Sequence, residues 1–385
     1  MFLWMKQSLT QYKIERLFYP DGDSMLTVPE IEQIINAFND PAAQMTLGES
    51  KSKIKITPEK EKLSVTITLG YPVQGFVEGL QSDLTELLKQ KTGYKDISVS
   101  ITWKIIKHKV QPGIQGIKNV KNIIAVASGK GGVGKSTTSV NLALALSASG
   151  ANVGILDADI YGPSQPQMLG TNERPESPDG KTIEPIQSLG LQSMSIGFLI
   201  DAEQPMIWRG PMLTQALDQM LNDTNWHDVD YLVIDLPPGT GDIQLSLSQK
   251  VPVSGAVIVT TPQDISLLDA RKALKMFEKV NVPVFGVIEN MSTHICSQCG
   301  HEEHIFGSGG GDKMAEEYNI DLLGSLPLDI SIRENADEGH PSVISDPDSN
   351  ISLAYRQIAQ RVAARLAQQA KAFSTAFPDI VVKND

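Results

Sequence analysis

Ile123-Ile124-Ala125-Val126 leads into Gly129-Lys130-Gly131-Gly132-Val133-Gly134-Lys135-Ser136-Thr137, and a helical stretch from about Lys135 to Ser149 follows. A short apolar run bounded by a turn reads as a buried strand. The glycines let successive backbone N–H groups curl around phosphate oxygens, and the helix start adds its positive dipole end. With Gly129, Gly134, Lys135 and Ser136 in place the turn fits a P-loop: Lys135 would reach the β- and γ-phosphates and Ser136 would ligate Mg²⁺. Gly129, Gly131 and Gly134 also spell G-x-G-x-x-G, and Asp157 stands near the place of a ribose-binding acid. The Lys135-Ser136 pair decides between the two patterns, because it serves a triphosphate with Mg²⁺ and has no role in dinucleotide binding.

Working outward, Tyr231-Leu232-Val233-Ile234-Asp235 is a strand ending in a carboxylate suited to the Mg²⁺ water shell. In Pro237-Pro238-Gly239-Thr240-Gly241-Asp242, proline stiffens the turn and Gly239 can offer its N–H to the γ-phosphate. Asp157-Ala158-Asp159 follows the strand Val153–Leu156. Asp159 suits orienting the attacking water or helping to hold Mg²⁺, and Asp157 suits fixing the loop; acids at strand ends also serve as plain turn formers. Further strands are expected at Ala256–Val259, Val284–Ile288 and Leu322–Leu323, with helices over 265–279, 312–318 and 351–373. Strands alternating with helices imply an α/β fold with a mostly parallel, doubly wound sheet and ligands at the strands' C-terminal edge.

A small α+β unit precedes it. Thr27 caps a helix beginning Val28-Pro29-Glu30. Residues 51–56 and the alternating Leu63, Val65, Ile67 and Leu69 give two strands. Phe76, Leu80, Leu84, Leu87 and Leu88 recur at helical spacing up to Gly93, and Ile97, Val99 and Ile101 alternate again. The expected order is αββαβ over residues 25–106. Residues 107–121 read as a linker, 122–373 as the P-loop ATPase domain, 374–385 as a tail and 1–24 as an extension, with Met25 an alternative start.

The 385 residues carry 33 Lys+Arg against 45 Asp+Glu, a formal charge of −12, and two cysteines. The acidic balance argues against nucleic-acid and anionic-membrane binding. No long apolar run suggests a membrane span, the scarcity of cysteine suits a reducing compartment, and a cytoplasmic location is expected. The two cysteines stand as Cys296-Ser297-Gln298-Cys299, after a strand whose C-terminal end shares the phosphate edge. Three readings stay open: a redox dithiol, which wants its first cysteine at a helix start; a zinc site with His301 and His304, cramped by the single residue between Cys299 and His301; and an iron–sulfur cluster. A [4Fe–4S] cluster takes four thiolates, so one chain supplies half a set.

The Lys130–Thr137 stretch resembles the deviant Walker A of the MinD/ParA/nitrogenase-iron-protein class. Asp157-Ala158-Asp159-Ile160-Tyr161-Gly162-Pro163-Ser164, Trp208-Arg209-Gly210-Pro211-Met212, Asp235–Asp242 and Glu289-Asn290-Met291-Ser292 resemble the Mrp/ApbC branch of iron–sulfur cluster carrier ATPases, a likeness covering about residues 105–370. It implies a slow ATPase working as a homodimer, with Lys130 completing the partner's nucleotide site and Asn290, otherwise a loop-capping residue, reading the adenine edge. It implies one [4Fe–4S] cluster bridged by Cys296 and Cys299 of both copies, received from cluster donors and passed to apo-proteins. Arg209 matches a family position without an evident physical role. The αββαβ unit resembles the iron–sulfur-assembly domain of bacterial relatives, with Gly70-Tyr71-Pro72-Val73 at a turn where other members carry a thiol. Partitioning or positioning ATPases of the ParA/MinD type, ATP-coupled reductases and a zinc-stabilised ATPase are the alternatives.

Overall fold

The computed structural model describes residues 26–111, 113–200, 210–296 and 298–369. The expected extension, the tail, Met25 and the Trp208-Arg209 pair lie outside the described residues.

In the N-terminal unit, the Thr27 N–H and hydroxyl both donate to Glu30, at 2.8 and 2.7 Å, and fix the start of α1 (Val28–Asn36). A two-residue ladder, β1 (Asn39–Asp40) with β2 (Met45–Thr46), follows and was not expected from the αββαβ pattern. It is too short for alternation to show, and it forms around a turn in which Asp40 accepts the N–H groups of Ala42 and Ala43 at 2.9 and 3.2 Å. β3 (Lys53–Glu59) pairs antiparallel with β4 (Lys62–Leu69), and α2 (Val77–Thr92) crosses over to β5 (Asp96–Trp103), parallel to β4. Leu63, Val65, Ile67 and Leu69 are buried, and Thr66 on the other face is exposed, as the period of a half-buried strand requires. Gly93 ends α2 at φ 75°, where a side chain would be strained.

The larger unit runs β6 (Val120–Ala127), α3 (Lys135–Ala148), β7 (Val153–Asp157), α4 (Gln165–Met168), β8 (Ile186–Ser188), β9 (Leu191–Ser195), α5 (Gly210–Asn222), β10 (Val229–Asp235), α6 (Asp242–Lys250), β11 (Gly255–Thr260), α7 (Asp264–Lys279) and β12 (Val284–Glu289). It continues with β13 (His294–Ile295), β14 (Glu302–Glu303), α8 (Gly310–Tyr318), β15 (Asp321–Ser325), α9 (Ile330–Asp337), α10 (Ser342–Ser345) and α11 (Asn350–Ala367). The eight-stranded sheet has the order β15-β12-β11-β6-β10-β7-β9-β8, parallel except for the edge pair β8–β9. Along β6, Ile124 and Val126 enter the core under α3 and α11, while Ile123, Ala125 and Ala127 enter the core under α5, α6 and α7. Each strand is thus apolar on both sides, which is why the sequence shows runs and no alternation there.

Residues 107–121 lie along this unit. Asn122 accepts the His108 N–H at 3.1 Å, and Gln111 donates to the Ser248 carbonyl at 3.0 Å. The N-terminal unit sits on the C-terminal end of α3 and on α11. Gln360 of α11 donates to the Pro72 carbonyl at 2.7 Å and to Ser149 Oγ at 3.0 Å, the Gln74 N–H meets the Ser149 carbonyl at 3.0 Å, and the Arg356 guanidinium lies 5.4 Å from the Phe76 ring centre. One apolar core runs from Ile31 and Leu84 through Leu142 to Ala363. The Gly70–Val73 turn is spent on this junction, with Tyr71 and Val73 fully buried. Replacing Gln360 with Leu leaves the buried Pro72 carbonyl without its donor, so urea denaturation of the full chain is expected to show a loss of about 1–3 kcal/mol.

Candidate functional site

β6 delivers the Gly129–Thr137 turn to the C-terminal edge of the sheet, between β11 and β10. A side chain at Gly129 would strike the backbone of Asp269 in α7, so the turn can pass α7 this closely only as glycine. Gly132 and Gly134 take φ 79° and 80°, the left-handed region that aims consecutive N–H groups into the loop. Gly131 and Gly132 are exposed, Val133 is buried and Lys130 is half-buried. Ser136 and Thr137 open α3, with Ser136 facing the loop's cavity.

Lys135 is not extended into that cavity. Its ammonium donates to Asp235 Oδ1 at 2.6 Å, with only 6% of the lysine side chain and none of the aspartate exposed, and lies 3.3 Å from Ser136 Oγ. The ammonium thus bridges Asp235 and Ser136. Asp235 and Asp157 are register partners at the ends of β10 and β7. Burial, and secondarily the neighbouring Asp235 charge, push Asp157 up to about 7. Four donors work against that rise: the N–H groups of Asp159, Ser164 and Gln165 and the Ser195 hydroxyl, all at 3.0–3.1 Å. Asp157 thereby organises the loop after β7, while Asp159 lines the nucleotide cavity, its pKa raised by burial against the pull of Lys135.

Two expected contacts are otherwise engaged. The Gly239 N–H donates to the Ser128 carbonyl at 3.1 Å, so it reaches a γ-phosphate only if that bond opens. Asn290 donates Nδ2 to the Val133 carbonyl at 2.9 Å and accepts the Met291 N–H at 3.0 Å, lying against Gly134 where no side chain would fit. Its amide ties the P-loop to the end of β12; it borders the cavity without offering it a free hydrogen-bonding edge on the side spent on Val133. The cavity itself, about 620 Å³, is lined beyond the P-loop by Met291, Leu328 and Arg333 of the β12 and α9 segments, the latter unmarked by any sequence motif.

The cysteines lie on a hairpin, β13 against β14, with His294 opposite Glu303 and Ile295 opposite Glu302. The Cys296 N–H donates to the His301 carbonyl at 2.9 Å and the Gly300 N–H to the Cys296 carbonyl at 2.8 Å, so the pair is folded into one tight turn with Gly300 at φ 71°. Cys299 is exposed and Cys296 half-exposed. His304 turns Nδ1 to the Ser292 carbonyl and His294 to the Leu328 carbonyl, each at 3.0 Å, while His301 faces Glu303 at 3.9 Å. The histidines brace the hairpin, and Cys296, Cys299, His301 and His304 do not converge on one point; among the described residues no three metal-binding side chains do.

Residues 119–363 match the profile of the ParA-group family described as the NUBPL iron-transfer P-loop NTPase. The chain belongs to this family. It is 54% identical over 336 residues to the iron–sulfur cluster carrier protein of Escherichia coli, covering 86% of this chain and 90% of that one. It is 52% identical over 341 residues to the protein of that description from Haemophilus influenzae, covering 88% and 92%. Its fold resembles a nucleotide-binding protein from Archaeoglobus fulgidus solved with ADP, at 36% identity and TM-score 0.53, over 60% of this chain and 90% of that one. A P-loop NTPase of this family hydrolyses ATP with Mg²⁺, and Ser136 and Asp235, bridged here by an ammonium, form a donor set suited to that ion.

In this NTPase the Cys296 thiol is held below its ordinary value of 9.0, chiefly by the N–H groups of Cys299 and Gln298 turned toward its sulfur. The tight turn does what a helix start does in a redox dithiol, which the loop placement in sequence gave no reason to expect. Alkylation of Cys296 by iodoacetamide, followed against pH by mass spectrometry, is expected to reach half its limiting rate below pH 9.0, since the thiolate is the reacting form. Opening the turn by Gly300→Val should move that midpoint upward.

Proposed function

We propose that this NTPase carries a [4Fe–4S] cluster between two copies of the chain, in a nucleotide-dependent manner, and hands it to apo-proteins. The observation that carries the reading is the Cys296/Cys299 turn: a pair of thiols folded together by backbone hydrogen bonds on the nucleotide edge of the sheet, which supplies two of the four sulfurs such a cluster needs. Two copies related by a two-fold axis complete the set. The names of the E. coli and H. influenzae relatives support the cargo, and the side chains around the pair support the dimer. Ile295 and Ile305 on the cysteine loop, Ile265 and Leu268 on α7 and Ile330 on α9 are all exposed on segments leaving the C-terminal ends of β12, β11 and β15. An apolar rim of this kind suits burial against a partner.

In this scheme the N–H groups of Gly129–Thr137 cradle the phosphates, Lys135 leaves Asp235 for the β- and γ-oxygens, and Ser136 and Asp235 hold Mg²⁺, which neutralises phosphate charge when bound. Asp159 orients the attacking water, Lys130 completes the partner's site, Gly239 meets the γ-phosphate and Asn290 holds the P-loop beside the base. Nucleotide state selects between a dimer that retains the cluster and one that releases it, as nucleotide switches do. The cluster is cargo: two ligands per chain at an exposed turn make it removable. The site is expected in the cytoplasm, with cluster donors and apo iron–sulfur proteins as partners and neither nucleic acid nor membrane involved; no described helix is long and apolar enough to cross a bilayer.

Anaerobic reconstitution should give about two irons per chain with a dimer mass, because one four-iron cluster spans two chains. Iron binding that survives Cys296→Ala/Cys299→Ala unchanged would overturn the proposal.

A further inference from the structure

Asp235 is surrounded by donors of unequal permanence. Oδ1 takes Lys135 Nζ at 2.6 Å and Ser139 Oγ at 2.8 Å; Oδ2 takes Gln165 Nε2 at 3.1 Å. Lys135 belongs to the phosphates once nucleotide is bound. Ser139 has one hydroxyl proton and two acceptors for it, Asp235 and the Lys135 carbonyl at 2.9 Å, whereas the Gln165 amide has a hydrogen to spare for Asp235.

Gln165, at the first position of α4, is 1% exposed. Its Nε2 also lies 3.3 Å from the Ser136 carbonyl, so both of its neighbours are acceptors and the amide can sit only with its NH₂ toward them. That orientation leaves Oε1 buried with no hydrogen-bond partner. A buried amide oxygen without a donor is destabilising, and an apolar side chain of similar length would avoid it. The carboxamide therefore links the residue after the P-loop lysine to the Mg²⁺-side carboxylate, and holds an acceptor in reserve beside them.

We propose that Gln165 is a positioning residue for Mg²⁺, holding Asp235 toward Ser136 after Lys135 has moved to the phosphates, with Oε1 accepting a hydrogen bond from the water shell of the metal. This rests on the reading of Ser136 and Asp235 as the magnesium side of the nucleotide site. It assigns a task to the loop after β7 beyond framing Asp157: the loop returns one polar side chain to the metal.

Mn²⁺ stands in for Mg²⁺ in the test, with ADP as the nucleotide. Outer-shell partners typically alter metal affinity by 10–100-fold, so Gln165→Met is expected to weaken Mn²⁺ binding to the ADP complex about tenfold by electron paramagnetic resonance. ADP affinity in EDTA should be unchanged, which separates the role from loss of the pocket. Should Gln165→Met lose too much stability, Gln165→Glu keeps the reach. Its charge opposes Asp235 without metal and is attracted to the metal when present, so the rise in melting temperature on adding Mn²⁺ with ADP should exceed that of the wild type. Wild-type Mn²⁺ affinity in Gln165→Met, or a wild-type thermal increment in Gln165→Glu, overturns the role of Gln165 alone. A wild-type chain that binds no Mn²⁺ with ADP overturns the magnesium site and this role with it.

Discussion

Two carboxylates, Asp157 and Asp235, end adjacent parallel strands with no exposed surface, and a single ammonium, Lys135, stands against them. Side by side in a low-dielectric interior, two such charges are tolerable only if each is separately compensated. Asp235 draws the lysine out of the P-loop and a serine from the next turn of α3. Asp157 draws three backbone N–H groups from the loop after β7 and the Ser195 hydroxyl from the end of β9. Much of the site's layout follows from that demand. The loop after β7 is curled because Asp157 collects its amides, and β9 is seated beside β7 in parallel register with Asp157 opposite Ser195.

The same edge joins nucleotide and thiols through short covalent distances. Glu289 ends β12 and accepts the Gly311 N–H at 2.5 Å, so the cysteine loop is closed at its root by the first turn of α8. Asn290, the next residue, holds the P-loop at Val133, and Ser292 donates to the Leu326 carbonyl while its own carbonyl meets His304. The loop bearing Cys296 and Cys299 thus has its entry fastened to the phosphate turn and its interior fastened to the segment that walls the nucleotide cavity. These contacts give the phosphate turn and the cysteine loop a continuous physical connection.

What the sequence disclosed was the part written in local backbone needs. Gly129, Gly132 and Gly134 are required by close approach and positive φ, Lys135-Ser136 suits phosphate and metal, and the apolar runs are required by a sheet covered on both faces, so the parallel strands β6, β7, β10, β11, β12 and β15 and their shared edge were legible, whereas the short pairs β8–β9 and β13–β14 were not. The paired cysteines were legible as half a ligand set. Gln165 was not, because a glutamine carries no signal until the fold sets Asp235, seventy positions away, beside it. Nor was the engagement of Asn290 with Val133, whose meaning lies in a contact between distant segments. The N-terminal unit read as a separate domain on a linker because its seat is on helices α3 and α11, far along the chain.

That seat has a temporal side. The N-terminal unit is made before the helices it sits on, and Gln360, which fastens Pro72, is made 288 residues after it. At the usual pace of about 5–20 residues per second the unit waits tens of seconds with the face that will meet α11 uncovered. In the finished fold α11 packs over α3 and the early unit together. The last described helix therefore completes the junction, and a nascent chain stopped before it would keep only the α3 side of that seat, the Gln74–Ser149 bond, without Gln360 on Pro72.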